Sequence, residues 1–273
     1  MGSLVAATAS YLDARVNAGA WLLRIEDIDP PREVAGAADS IIGSLDAHGF
    51  EWTGPIRYQS ARTAAHEAVA HELIAAGLAY PCNCSRRAMR AIAPPGPVGP
   101  IYPGTCRHKG SADLGPETAL RIRTNPAIFG FTDKLQGPQK CRIDREVGDF
   151  VIRRRDGLIA YVLAGTLDDH AQGISHVVRG LDLLPVTPAQ LWLQKLLGLR
   201  QPAYSHVPMV MNDAGQKLSK QTGAAPLDSR KAGVNLHRAL EFLGQEPSPS
   251  LAREPIDTIW AWAEEHWPAL LAI

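Results

Sequence analysis

The stretch Trp21-Leu22-Leu23-Arg24-Ile25-Glu26-Asp27-Ile28-Asp29-Pro30-Pro31-Arg32-Glu33 decides how the chain is read. It is apolar until its charged end, as a buried strand is. Asp27 opens a turn, the two prolines pre-set the first turn of a new helix, and Asp29 is placed to cap it. Upstream, Leu4, Val5, Thr8, Tyr11, Leu12 and Val16 recur at helical spacing, and Asn17-Ala18-Gly19 reads as a stop. Downstream, the new helix carries Ala38, Ile41, Ile42 and Leu45 to a stop at Gly49, and a further helix covers Gln59 to Gly77.

The alternation continues toward the C-terminus. Ala119-Leu120-Arg121-Ile122-Arg123 reads as a strand, and Asp149 to Arg153 with Leu158 to Val162 read as a hairpin across Asp156-Gly157. His176-Val177-Val178-Arg179-Gly180 is a strand ending in a charged turn, and Pro188 to Leu197 is a helix. Val207 to Met211 is a strand leading into a glycine-containing loop, and the residues from Leu236 onward are helical. Strands alternating with helices predict an α/β sheet whose ligand site lies at the carboxyl ends of the strands. A chain of 273 residues holds one large domain or two modest ones.

The formal charge is zero, so no global field advertises a polyanionic partner. Basic residues do gather locally, at Arg86, Arg87 and Arg90, at Arg107, His108 and Lys109, at Arg121 and Arg123, and at Arg153 to Arg155. Such clusters are read either as a solvated face or as a stripe that touches phosphates. No uncharged apolar run is long enough to span a bilayer. The start, Met1-Gly2-Ser3-Leu4-Val5-Ala6, lacks the basic region of a signal peptide and the residue at position 6 that a myristoylation signal needs. A cytoplasmic, reducing location is expected.

Three of the four cysteines fall in one segment, Cys82-Asn83-Cys84 and Tyr102-Pro103-Gly104-Thr105-Cys106, with Cys141 left over. The surrounding text, from about Tyr80 to Gly115, is rich in Pro and Gly and changes character, as an insertion does. Two thiolates one residue apart, a loop, and a third thiolate beside a tyrosine can enclose a tetrahedral zinc, since soft thiolates hold this ion well. The other reading is three free or paired thiols; a reducing compartment and the odd cysteine favour metal.

Two further groups bear chemistry. Gln216-Lys217-Leu218-Ser219-Lys220-Gln221 puts two lysines in a loop after a strand, where ammonium groups suit the charge on transferring phosphates. A plain surface loop is the alternative. Glu26 closes its strand among three carboxylates, either as part of a capping cluster or as an acceptor for a substrate ammonium. Tyr161 and Arg179 are each read at a strand end, where an arginine can grip a carboxylate bidentately.

Taken in order, Gly2-Ser3-Leu4, Arg24 to Asp29, the Cys-x-Cys clip, Asp168-Asp169-His170, His176 to Gly180 and Lys217-Leu218-Ser219-Lys220 resemble the catalytic domain of class I glutamyl-tRNA synthetases. Within that family they resemble most the glutamyl-Q subfamily of short paralogues. The resemblance covers nearly the whole chain. It implies a Rossmann-like core over residues 1–79 and 119–225, a zinc-binding insertion over 80–118 and a helical segment over 226–273. Lys217 and Lys220 then take the place of the catalytic Lys-Met-Ser-Lys-Ser loop, with Lys220 contacting ATP phosphate. Gly2 and Ser3 are the last two residues of the family's ATP signature, whose upstream histidine and first strand do not appear in the chain. A shortened chain is expected on that account, or else one without activity. Glu26 reads the glutamate α-amino group, Tyr161 and Arg179 make further contacts to the amino acid, and Cys82, Cys84, Tyr102 and Cys106 hold a structural zinc.

The implied activity is ATP-dependent formation of glutamyl-adenylate, with Mg²⁺ accompanying ATP. The glutamyl group then passes to queuosine in the anticodon of tRNA(Asp). Only 53 residues follow Lys220, too few for the anticodon-binding region of an ordinary glutamyl-tRNA synthetase. A monomer is expected. A non-catalytic RNA-binding or regulatory paralogue, and a fragment of an ordinary glutamyl-tRNA synthetase, are the alternatives.

Overall fold

The computed structural model describes residues 1–211 and 227–267. The first helix, α1 (Gly2–Val16), buries Leu4, Val5, Thr8, Tyr11 and Leu12 of the positions its periodicity marks, while Val16, in its last turn, is exposed. Its stop differs in detail. The residue with positive φ is Ala18, at 51°, and Gly19 returns a backbone hydrogen bond to Ala14.

The Trp21 to Glu26 segment is extended, but only β1 (Arg24–Ile25) is a strand, pairing in parallel with β2 (Arg57–Tyr58). Its apolar beginning is held by rings instead: Trp21 stacks on Phe50 and meets Tyr11 edge-on. After a single 3₁₀ turn at Pro30–Arg32, helix α2 (Ala37–Ala47) begins later than the prolines imply. Asp29 does not cap that turn with its side chain; it accepts from Arg154 at 3.1 Å instead. A second 3₁₀ turn, Gln59–Arg62, leads into α3 (Thr63–Ala75).

Strand β3 (Ala79–Cys82) follows, then the short α4 (Arg86–Ile92), which the Ser85 hydroxyl caps by accepting from the Ala88 N–H. β3 pairs antiparallel with β4 (Ala119–Ile122), so the cysteine-bearing loop leaves and re-enters the fold at one ladder. A hairpin absent from the sequence reading comes next, β5 (Ile128–Asp133) and β6 (Gly137–Arg142), followed by the one-turn α5 (Ile143–Glu146). β7 (Val151–Arg153) joins β4, completing a three-stranded antiparallel sheet.

The expected hairpin partner, Leu158 to Val162, is not a strand. Only Ile159 bridges to Arg153, and α6 (Tyr161–Ala171) starts two residues later. Tyr161 therefore opens a helix rather than ending a strand. A short apolar run such as Tyr161-Val162-Leu163-Ala164 carries no period that tells a buried helix from a buried strand.

A β–α–β unit follows. β8 (His176–Gly180) passes through a 3₁₀ segment into α7 (Thr187–Leu197) and returns as β9 (Ala203–Val207), parallel to β8. β9 ends one residue before Pro208, which has no N–H for a ladder, so the strand predicted over Val207 to Met211 lies earlier. β5 flanks β9 in parallel, giving a four-stranded sheet of order β6-β5-β9-β8. Helices α8 (Ala232–Phe242) and α9 (Ile256–His266) pack with α1 around Leu236, Leu240, Ile259 and Trp260. The main core gathers Leu73, Leu120, Ile122, Ile152, Leu163 and Leu193. Around the cysteines the buried group is small, Tyr80, Cys82, Met89, Tyr102 and Cys106. No helix among the described residues is long and apolar enough to cross a membrane.

Candidate active site and metal centre

The two strand-end regions around β1 and β8 bring Glu26, Tyr161 and Arg179 into electrostatic reach of one another. The charges of Arg24, Asp169 and Arg179 all act on Glu26, and those of Arg179, Glu26, Asp169 and Arg24 all act on Tyr161. Arg24 is tied down on two sides, donating to Gln172 Oε1 at 2.7 Å and to Asp169 Oδ1 at 2.8 Å. It reaches Glu26 Oε1 only at 3.3 Å, leaving that carboxylate open to another partner. The Glu26 side chain keeps 40% exposure, yet its crowded surroundings push its pKa above the usual carboxylate value, against the pull of Arg24.

The neighbouring acids are spent elsewhere. Asp27 accepts from the Ser60 N–H at 2.9 Å and from the Ser60 hydroxyl, fixing the turn before α3. Asp168 is buried under Gln59, Arg62 and His66. Of the carboxylates in these two motifs, Glu26 and Asp169 are the ones that bear on Tyr161.

Arg179, only 9% exposed, is held along one edge of its guanidinium. Nε donates to His206 Nε2 at 3.0 Å, and NH2 donates to Gln190 Oε1 at 2.7 Å and Thr187 Oγ1 at 2.9 Å. NH1 faces the Tyr161 hydroxyl at 3.5 Å. The bidentate grip expected of this arginine is therefore closed on the edge of Nε and NH2, which the protein itself occupies. The side chain can offer NH1, in concert with the phenol. An acid at one end and a guanidinium–phenol pair at the other complement a molecule carrying both an ammonium and a carboxylate. Arg24 and Asp169 stand in motifs legible in the sequence without a role of their own, and His206, Thr187 and Gln190 carry no sequence signal, because their contacts arise from packing between separate segments.

Gly2 and Ser3 form the first turn of α1, where backbone N–H groups are left over, and Ser3 is exposed. Lys217 and Lys220 lie outside the described residues.

The cysteine cluster assembles as its spacing predicts. Cys82, Cys84 and Cys106 bring their sulfurs within 4.8 Å of one another, and all four cysteines are free thiols. Cys84 and Cys106 Sγ are 3.8 Å apart, and the Tyr102 hydroxyl lies 3.4 Å from Cys82 Sγ and 3.3 Å from Cys84 Sγ. Sulfurs bound about 2.3 Å from one tetrahedral ion sit about 3.8 Å apart, and a sulfur–oxygen pair sits a few tenths closer. The three sulfurs therefore could hold one metal ion, with the Tyr102 oxygen beside two of them. Burial disfavours the Cys106 thiolate, but donors including Tyr102 and the Asn83 backbone outweigh it and bring the thiol down to about 7. Arg121 supports the group from beneath, donating to Cys82 Sγ at 3.3 Å and stacking on the Tyr102 ring at 4.0 Å. Cys141 stands apart, its thiol pushed up to about 11 by burial.

Several of the basic clusters are structural. Arg121 is buried, Arg123 donates to the carbonyls of Gly77, Arg107 and Lys109, and Arg153 to Arg155 pair with Glu67, Asp29, Asp156 and Glu117. Arg86, Arg87 and Arg90 stay exposed on α4, and Arg107 and His108 stay exposed beside Cys106.

The fold is shared with synthetase structures. A crystal structure of a glutamate tRNA ligase from Elizabethkingia meningosepticum, in complex with its amino acid, superposes with a TM-score of 0.77 at 22% identity. It matches 98% of this chain, which spans 62% of that structure. This is the class I synthetase architecture. The family model for the catalytic domain of class I tRNA synthetases (E and Q) matches residues 1–232, and the chain belongs to that family of ligases. Two curated relatives are glutamyl-Q tRNA(Asp) synthetases. The protein from Pseudomonas aeruginosa is 49% identical over 268 residues, 98% of this chain and 89% of its own length. That from Dechloromonas aromatica is 50% identical over 269 residues, 97% of this chain and 89% of its own length.

Proposed function

We propose that the chain activates L-glutamate with ATP and transfers the glutamyl group to the queuosine base in the anticodon of tRNA(Asp). The observation that carries this reading is the near-half identity to glutamyl-Q tRNA(Asp) synthetases over almost the full chain, which fills 89% of their length. By contrast, it fills 62% of a glutamate tRNA ligase. Transfer RNA as substrate places the reaction in the cytoplasm.

The chemistry follows from positioning and charge. Glu26 takes the substrate ammonium, and Arg179 NH1 with the Tyr161 hydroxyl takes a substrate carboxylate. The glutamate carboxylate oxygen attacks the α-phosphorus of ATP, the bond to the bridging oxygen breaks, and pyrophosphate leaves with that electron pair. No nucleophilic side chain is required, because both reactants are bound and oriented. Lys217 and Lys220, with the first-turn backbone at Gly2 and Ser3, supply positive potential to the phosphates, and Mg²⁺ accompanies the nucleotide. In the second step the queuosine base displaces AMP from the adenylate. Cys82, Cys84, Tyr102 and Cys106 hold one zinc, whose part is to fix the shape of the 80–118 insertion. That insertion interrupts a catalytic core of residues 1–79 and 119–225, and the segment after the core carries helices α8 and α9. The exposed arginines of α4 lie on its surface and suit phosphate.

The activation half is tested by exchange of labelled pyrophosphate into ATP. Exchange that requires L-glutamate supports the reading; exchange that ignores it, or that another amino acid supports better, contradicts it.

A further inference from the structure

Arg179 and His206 are register partners in the parallel β8–β9 pair, and behind them sits Asp133, the last residue of β5. Asp133 and His206 are fully buried. Asp133 Oδ1 accepts the N–H groups of Leu135 at 3.1 Å, Gln136 at 2.9 Å and His206 at 3.2 Å. Its Oδ2 lies 2.6 Å from His206 Nδ1. With Oδ1 accepting three backbone N–H groups and Oδ2 turned to the ring, the Asp133 carboxylate acts as acceptor throughout, so Nδ1 carries the hydrogen. On the far side of the ring, Nε2 faces Arg179 Nε at 3.0 Å, and a guanidinium N–H can only donate. Asp133 and Arg179 therefore demand the same neutral tautomer, and the Thr187 hydroxyl, 3.4 Å from Nε2, can donate to the same lone pair. Burial, with the Arg179 charge beside it, keeps the ring less basic than usual, although Asp133 pulls the other way.

We infer that Asp133 and His206 are positioning residues for substrate: Asp133 fixes the Nδ1–H form of His206, whose Nε2 lone pair holds Arg179 with NH1 turned to Tyr161 and the glutamate carboxylate. This rests on the reading of Arg179 and Tyr161 as carboxylate contacts. The relay explains why an arginine with five donors spends Nε and NH2 on the protein. With His206 on Nε and Gln190 and Thr187 on NH2 of the same edge, the guanidinium plane is fixed before ligand arrives. Pre-orientation of this kind lowers the entropy that binding must supply.

The test is glutamate binding to the full chain by calorimetry, with ATP binding and thermal melting alongside. In Asp133→Asn the amide keeps an acceptor for the three backbone N–H groups but donates to Nδ1, moving the imidazole proton to Nε2, against Arg179. The glutamate Kd is expected to rise about tenfold or more, with ATP affinity held within about twofold. His206→Gln supplies an amide oxygen for Arg179 without needing Asp133. It should lose less, and in its background Asp133→Asn should add almost nothing. Equal glutamate affinity in Asp133→Asn and the native chain overturns the inference. So does a loss that persists undiminished in the His206→Gln background, or one shared equally by ATP. Should Asp133→Asn fail to fold, ¹⁵N spectra of the native imidazoles decide: the inference requires a protonated Nδ1 and a bare Nε2 on His206, and the reverse overturns it. A native chain that shows the required tautomer but binds no glutamate sinks the reading of the pocket, and the substrate role of the relay with it.

Discussion

Cys84 Sγ and Cys106 Sγ, 22 residues apart in sequence, stand 3.8 Å apart, with the Tyr102 oxygen 3.3 Å from the first of them. This is ligand spacing without disulfide geometry, since bonded sulfurs lie about 2 Å apart. Purified chain is expected to carry about one equivalent of zinc. Cys82→Ser should lower that stoichiometry and the melting temperature together, and a chelator should do the same to the native chain. Elemental analysis and a melt with and without chelator read this out; metal-free protein with an unchanged melt contradicts it.

Gly148 governs how closely the loop that carries Tyr102 approaches. Its φ is +69°, and a Cβ there would sit 3.0 Å from the Ile101 side chain and 3.2 Å from the Tyr102 backbone nitrogen. Gly148→Ala should therefore cost about 1–2 kcal/mol in strain. It should also weaken metal retention, with all three thiols untouched. Competition with a metal-sensitive dye, set beside a thermal melt, checks both parts.

Arg179→Lys keeps the charge and loses the fork. A lysine cannot satisfy His206, Gln190 and Thr187 at once and still point a donor at Tyr161. Glutamate affinity should fall by roughly 1.5–3 kcal/mol, about ten- to a hundredfold, with ATP affinity little changed. Titration calorimetry for each ligand separates the two.

The raised pKa of Glu26 has a sign that can be followed. Burial favours its protonated form in the empty pocket, whereas a bound ammonium favours the ionised form. Glutamate binding should therefore release a proton when the pH is near that raised value. Affinity should fall as acidification through this range protonates Glu26. Calorimetry in two buffers of different ionisation enthalpy measures the release, and Glu26→Gln should abolish it.

The parts of this molecule legible in sequence were those with local chemistry. Helix α1, β8, α7 and the cysteine clip announce themselves by period or by residue type within a few positions. Tyr161 reads in sequence as the end of a strand but opens α6, because Tyr161-Val162-Leu163-Ala164 is apolar in either structure. The β5–β6 hairpin went unseen even though Ile128, Phe129 and Phe131 sit in it, since proline at 138 and glycine at 130 blur its pattern. Hidden altogether was the grip on Arg179. Asp133, Gln190 and His206 lie far apart in sequence, and only sheet register and the α7 packing bring them together. Long-range hydrogen bonds of this kind leave no period in a sequence.

The central claim is tested most directly by transfer of labelled glutamate, in the presence of ATP, to tRNA(Asp) with and without queuosine. The account predicts labelling only of the queuosine-containing tRNA, surviving removal of the terminal adenosine. Equal labelling of both tRNAs, or labelling lost with that adenosine, would contradict it.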